Sequence, residues 1–146
     1  MRFECWTDGS TVKKNSRDSK GHSGAGVVVV DSVAGSIQFM LGEYIGVTTN
    51  NYAEFKAVDI ALDELIMRQD QIGPVDIDIV SDSQVLVKSM AGKWELKEPS
   101  LIELKDSIKK KEHKLKGEVS YTWVKAHSGV ELNEWADKLA RACARG

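Results

Sequence analysis

Apolar and polar positions alternate first with the period of a strand and later with that of a helix. Residues 2–7 place Phe3 and Cys5 on one side of an extended segment, which predicts a first strand ending at Asp8. A polar loop follows over residues 9–23, carrying Lys13, Lys14, Arg17 and Lys20. Residues 24–30, Gly-Ala-Gly and then four valines, are short and β-branched and predict a buried strand. A turn at Ala34-Gly35 leads into a third extended run over residues 37–45. Three strands in succession with no helix between them imply an antiparallel meander.

The period then changes. Thr48-Thr49-Asn50-Asn51 is a cluster of helix N-cap residues, and Glu54 falls in the first turns of the helix it announces. Phe55, Val58, Leu62, Leu65 and Ile66 keep helical spacing to about Arg68, and Gly73-Pro74 stops it. Residues 75–81 predict a fourth strand ending at Asp82, and a short helix containing Val85 and Leu86 runs to Gly92. Pro99 starts another helix whose apolar side is Leu101, Ile102, Leu104 and Ile108. Residues 118–124 predict a fifth strand, and Leu132, Trp135, Ala136, Leu139 and Cys143 form an amphipathic stripe on a final helix. The order β-β-β-α-β-α-α-β-α describes an α/β domain. Its sheet is mixed and five-stranded, with strands 4 and 5 parallel to strand 1 and helices on both faces.

Composition narrows the class. The 146 residues suit one domain over 1–146, and 42% hydrophobic with 29% charged residues is globular rather than disordered. The net charge of −2 argues against a domain that holds nucleic acid by bulk positive charge, but not against a nucleic-acid enzyme whose metal site concentrates carboxylates. Cys5 and Cys143 lack metal-type spacing and read as a reduced pair. With charges near the N-terminus and no apolar run long enough to span a bilayer, the expectation is a cytoplasmic chain with no membrane partner.

Four acids stand out by position. Asp8 and Asp82 end strands whose carboxyl edges are where ligands sit in an open α/β sheet. Glu54 lies early in the helix that precedes the fourth strand, and Asp137 lies in the last helix. Four carboxylates converging on one point cannot stay ionised without a cation. Hard oxygen donors select Mg²⁺ or Mn²⁺ over Zn²⁺, and four suffice for two ions in an in-line phosphodiester displacement. Asp63, Asp76, Asp78 and Asp106 read as solvated surface carboxylates.

Five motifs occur in order: Trp6-Thr7-Asp8-Gly9-Ser10, Thr49-Asn50-Asn51-Tyr52-Ala53-Glu54, Ser81-Asp82-Ser83-Gln84, Trp123-Val124-Lys125-Ala126-His127 and Asn133-Glu134-Trp135-Ala136-Asp137. With this ordered set the chain closely resembles type 1 ribonuclease H over nearly its whole length. The resemblance implies hydrolysis of the RNA strand of an RNA–DNA hybrid to 5′-phosphate and 3′-hydroxyl ends, by a monomer carrying two Mg²⁺ per site, with Mn²⁺ able to substitute. It implies that Asp8 bridges both ions, that Asp137 serves the nucleophile side, and that Glu54 and Asp82 serve the leaving-group side. It further gives His127 a part in proton transfer or product release, although a lone loop histidine is ordinarily a surface residue. Gly9 and Ser10 lie beside the first carboxylate as substrate contacts. Asn50, Asn51 and Gln84 are candidates for reaching the minor groove, where amide side chains can both donate to and accept from 2′-hydroxyls. Asn50 can equally cap its helix. Asn133, one turn before Asp137, can orient that carboxylate or touch substrate.

The chain departs from the better-known pattern in two places. Its loop after Asp8 is long and charged. The 40 residues between Asp82 and Trp123 hold two modest helices and leave no room for the basic handle of some relatives. Five lysines within residues 109–116 either replace that handle or form a solvated helix end. A transposase or integrase core would use an acid such as Glu118, with 35 residues between it and Asp82, but on a helix rather than a strand. A catalytically silent hybrid-binding module would show a damaged carboxylate set, and a small-molecule α/β binder would show a glycine-rich phosphate loop. Setting aside the four acids leaves the rest of the chain at +2, a weakly basic body around an acidic site.

Overall fold

The computed structural model describes residues 1–126 and 130–145. Strands β1 (Arg2–Val12), β2 (Gly21–Asp31) and β3 (Ile37–Thr48) form the meander, and α1 (Asn50–Ile72) crosses over to β4 (Asp76–Ser81). Helices α2 (Gln84–Met90) and α3 (Pro99–Lys114) lead to β5 (Val119–Trp123), and α4 (Glu131–Ala144) closes the chain. The sheet order is β3-β2-β1-β4-β5, with β1, β4 and β5 mutually parallel, as the element order predicts.

Strand alternation divides the core in two. Phe3, Cys5, Val27, Val29, Ile77 and Ile79 face α1 and α3, where they meet Phe55, Val58, Leu62, Leu65, Leu104 and Ile108. Trp6, Val28, Val30 and Val80 face the other way, under Ala136 of α4. Thr49 caps α1, its hydroxyl accepting from the Tyr52 amide at 3.1 Å. The helix ends at Gly73, whose φ of 84° only glycine adopts cheaply.

The structure corrects several details. The meander hairpin is longer than hydropathy suggests: β1 continues through Asp8 to Val12, and the loop shrinks to residues 13–20. Polar residues there are held by the backbone ladder, Ser10 opposite Gly24 and Val12 opposite His22, and by a 2.8 Å hydroxyl pair between Thr11 and Ser23. Asp8 therefore lies within its strand. Ile102 and Trp135 are exposed rather than part of their helices' apolar faces. On α4 the deeply buried positions are Asn133, Ala136, Ala140 and Ala144, small residues that let the helix lie close to β2. Asp78 is buried, accepting hydrogen bonds from the Ser120 and Thr122 hydroxyls at 3.0 and 2.9 Å. Both cysteines are free.

Lysines of α3 are engaged with the protein. Lys105 and Lys109 donate to the Ser89 and Met90 carbonyls at the C-terminal end of α2, where cations are favoured. Lys111 pairs with Asp59 at 2.8 Å and Asp63 at 2.9 Å across the α1–α3 contact. Those contacts favour a packing role for Lys109 and Lys111 over a substrate handle.

Candidate active site

Three elements deliver three carboxylates to one place. The parallel β1–β4 ladder ends at Trp6 opposite Val80, and continuing its register by two residues brings Asp8 beside Asp82. There β4 gives way to a tight turn: the Ser81 hydroxyl accepts from the Ser83 amide, and the Ser83 hydroxyl caps α2 through the Leu86 amide. From β5, the Trp123 indole N–H donates to the Asp82 carbonyl at 3.2 Å. Glu54 enters from the first turns of α1. Oxygen atoms of Asp8, Glu54 and Asp82 all lie within 4.8 Å of one another. Asp8 and Glu54 are each about 5% exposed. The Gly9 amide joins those two, donating to Glu54 Oε1 at 2.6 Å and to Asp8 Oδ1 at 3.0 Å.

The cluster forms the floor of a cavity of about 510 Å³ whose lining also includes Asp137, Gly9, Ser10, Asn50, Asn51 and Gln84. All four predicted carboxylates and five of the predicted substrate contacts therefore share one cavity. Asp137 also pairs with Arg141 at 2.9 Å. Asn133 is 3% exposed and does not line the cavity. Since Thr49 holds the cap, capping does not account for Asn50. His127 lies outside the described residues, although its neighbour Ala126 is in the lining. Trp94 is a cavity residue that sequence reading misses, because it lies in the loop after α2, outside any periodic stripe. The Lys88 ammonium sits 4.6 Å from its ring centroid. Glu118 precedes β5 at the end opposite Trp123, the residue paired with Ser81, so five strand residues, roughly 16 Å, separate it from the cavity.

Burial first, then the charges of Glu54 and Asp82, push the Asp8 carboxyl far above the usual range. Burial likewise pushes Glu54 up, aided by the Asp82 charge and opposed by hydrogen bonds involving Asp8 and the Gly9 amide. Glu54 Oε2 is buried with no hydrogen-bond partner among the described residues. A site built of carboxylate oxygens, with one buried oxygen unsatisfied, fits a hard divalent cation. Without a cation the folded state holds protons that the unfolded chain releases near pH 4. Stability is then fullest below that pH and is lost as pH rises through the raised values. In chelator, thermal unfolding should show a loss on the order of 4 kcal/mol between pH 5 and 8, the linkage of one proton held by the folded state alone over three pH units, and saturating divalent cation should flatten the profile. A chelated profile that is flat or rises over this range contradicts that electrostatic picture.

The RNase H family model matches residues 2–145. The chain belongs to the RNase H family. It is 28% identical to the ribonuclease H of an Anaeromyxobacter strain over 158 residues, covering 99% of this chain and 81% of that protein. It is 34% identical to ribonuclease HI of Halobacterium salinarum over 100 residues, covering 68% of this chain and 45% of that one. The bifunctional protein Rv2228c of Mycobacterium tuberculosis is 28% identical over 86% of this chain, which spans about a third (32%) of that relative's length. Among solved structures, RNase H1 of Halobacterium salinarum aligns with a TM-score of 0.81 at 29% identity, over 99% of this chain and 98% of that one. LC11-RNase H1, from compost and solved in complex with RNA/DNA hybrid, aligns with a TM-score of 0.82 at 29% identity, over 97% and 95%. These RNase H structures share the mixed sheet and helix order read from the sequence.

Proposed function

We propose that this chain, as one catalytic domain over residues 1–146, hydrolyses the RNA strand of RNA–DNA hybrids and leaves 5′-phosphate and 3′-hydroxyl ends. The observation that carries the reading is the convergence of Asp8, Glu54 and Asp82 from separate elements to within 4.8 Å, with Asp137 in the same cavity wall. The RNase H family is divalent-metal dependent, and the oxygen-only cluster suits that requirement. Asp8, Glu54, Asp82 and Asp137 would hold two Mg²⁺ ions, with Mn²⁺ an acceptable replacement. The chemistry such ions supply when bound is Lewis acidity toward the attacking water and the departing 3′ oxygen.

The remaining tasks fall to the chain itself. The Gly9 amide orients Asp8 and Glu54 through its two hydrogen bonds. Asn50, Asn51 and Gln84, in the lining of the cavity, offer both donors and acceptors to 2′-hydroxyls and so distinguish the RNA strand from DNA. Ser10 adds a hydroxyl beside the scissile strand, and the Trp94 ring supplies an apolar rim. His127 is assigned to proton transfer or product release. No helix among the described residues is long and apolar enough to cross a membrane, and the reading is of a monomer working in the cytoplasm.

Metal removal tests the proposal. Hybrid cleavage should fall to background in excess chelator and return when Mg²⁺ or Mn²⁺ is restored. Cleavage that persists in chelator overturns it.

A further inference from the structure

We propose that Gly9 and Gly26 are positioning residues that set the heights of two helices over the sheet, and with them the separation of the carboxylates. The inference rests on the reading of those carboxylates as a metal-holding set. The two glycines flank Asp8: Gly9 follows it in β1, and Gly26 is its cross-strand partner in β2. Each lies under a helix residue that immediately precedes an acid. A Cβ on Gly9 would stand 2.4 Å from the carbonyl carbon of Ala53 and 2.5 Å from the amide nitrogen of Glu54. A Cβ on Gly26 would stand 2.0 Å from the carbonyl oxygen of Ala136 and 2.8 Å from the amide nitrogen of Ala140.

The obstructing atoms are all backbone, so no rotamer change relieves the clash. The helix has to move, by about 1 Å or more, because packed interiors do not absorb such overlap. Helices α1 and α4 cover opposite faces of the sheet. The Ala53–Glu54 step therefore rests on one face and the Ala136–Asp137 step on the other, both at the level of Asp8. Gly9 adds a second constraint through its amide hydrogen bonds to Glu54 and Asp8. Divalent ions of the Mg²⁺ class demand oxygen ligands at narrowly defined distances, so a helix displaced by this much would no longer present its acid at the required place. Gly24 makes a similar close approach to α4, 2.4 Å from the Ala140 carbonyl oxygen, but one turn beyond Asp137's neighbour Ala136. It serves the packing of the helix rather than the placement of the acid.

Calorimetric titration with MnCl₂ alone, without nucleic acid, separates the two roles. Gly9→Ala and Gly26→Ala should each bind Mn²⁺ about tenfold or more weaker than the unsubstituted chain. Gly24→Ala, whose clash lies one turn further along α4, should lose thermal stability to a similar extent yet lose clearly less Mn²⁺ affinity than Gly26→Ala. Unchanged affinity in either Gly9→Ala or Gly26→Ala overturns the inference. So does equal weakening in Gly24→Ala, and so does failure of both site variants to fold, since the glycines would then serve the fold as a whole. Mn²⁺ binding that is absent from the unsubstituted chain, or undiminished in Asp8→Asn, would instead overturn the metal reading beneath it.

Discussion

Asp8→Asn is expected to reduce hybrid cleavage by at least about 10³-fold in kcat, the several kcal/mol that metal-ion charge stabilisation contributes, while the chain stays folded. Asp8 is buried at the centre of the cluster, with Glu54 and Asp82 oxygens within 4.8 Å. Asparagine keeps its shape and removes its charge. In chelator the variant should melt no lower than the original chain near neutral pH, because ionised Asp8 is opposed there by burial and by the charges of Glu54 and Asp82. Steady-state cleavage and thermal melting on the same preparation check both halves. Substantial residual turnover in a folded Asp8→Asn chain contradicts the assignment.

Asp59→Ala is expected to do the opposite, costing about 3 kcal/mol of stability and on the order of 10 °C in Tm without touching the chemistry. Asp59 lies on the buried side of α1, where its side chain is 4% exposed and pairs with Lys111 at 2.8 Å and Lys56 at 3.2 Å. The Ser107 hydroxyl donates to it at 2.9 Å. Burial alone would raise its pKa, but the hydrogen bonds from Lys111 and Ser107 hold the carboxyl below the ordinary range. The stability it contributes is therefore present above pH 4 and lost in acid, outside the window in which the cavity carboxylates act. Removing it leaves the partly buried Lys111 ammonium on α3 with only the exposed Asp63 carboxylate as an ion-pair partner among the described residues. Urea unfolding gives the loss directly, and an unchanged midpoint would show that the network contributes nothing. Cleavage per folded molecule should stay within about twofold, as expected for a site that shares no partners with the cavity.

Much of this was legible in the sequence, for identifiable reasons. The β-branched run of Val27–Val30, the helical spacing from Phe55 to Leu65 and the stop at Gly73-Pro74 each carry a strong local signal, and the structure follows them. The carboxylates Asp8, Glu54 and Asp82 were readable because short motifs surround them, and the topology then brings them together. The far half of the hairpin was hidden because Ser10, Thr11 and Ser23 are polar, and their strand character comes from the ladder rather than from hydropathy. Asp78 looked solvated because nothing local reveals Ser120 and Thr122 on the neighbouring strand. The α4 stripe misled for a related reason. The helix buries alanines against glycines, so its largest apolar residue, Trp135, stays outside. Trp94 gave no periodic signal at all, and its place at the cavity follows only from the fold.

The most direct test of the central claim is cleavage of a labelled RNA–DNA hybrid beside duplex RNA and duplex DNA of the same sequence, with Mg²⁺ and with chelator. The expected result is cutting of the RNA strand of the hybrid alone, in Mg²⁺ alone, leaving 5′-phosphate and 3′-hydroxyl ends. Equal cutting of all three duplexes, or an intact hybrid in Mg²⁺, would contradict it.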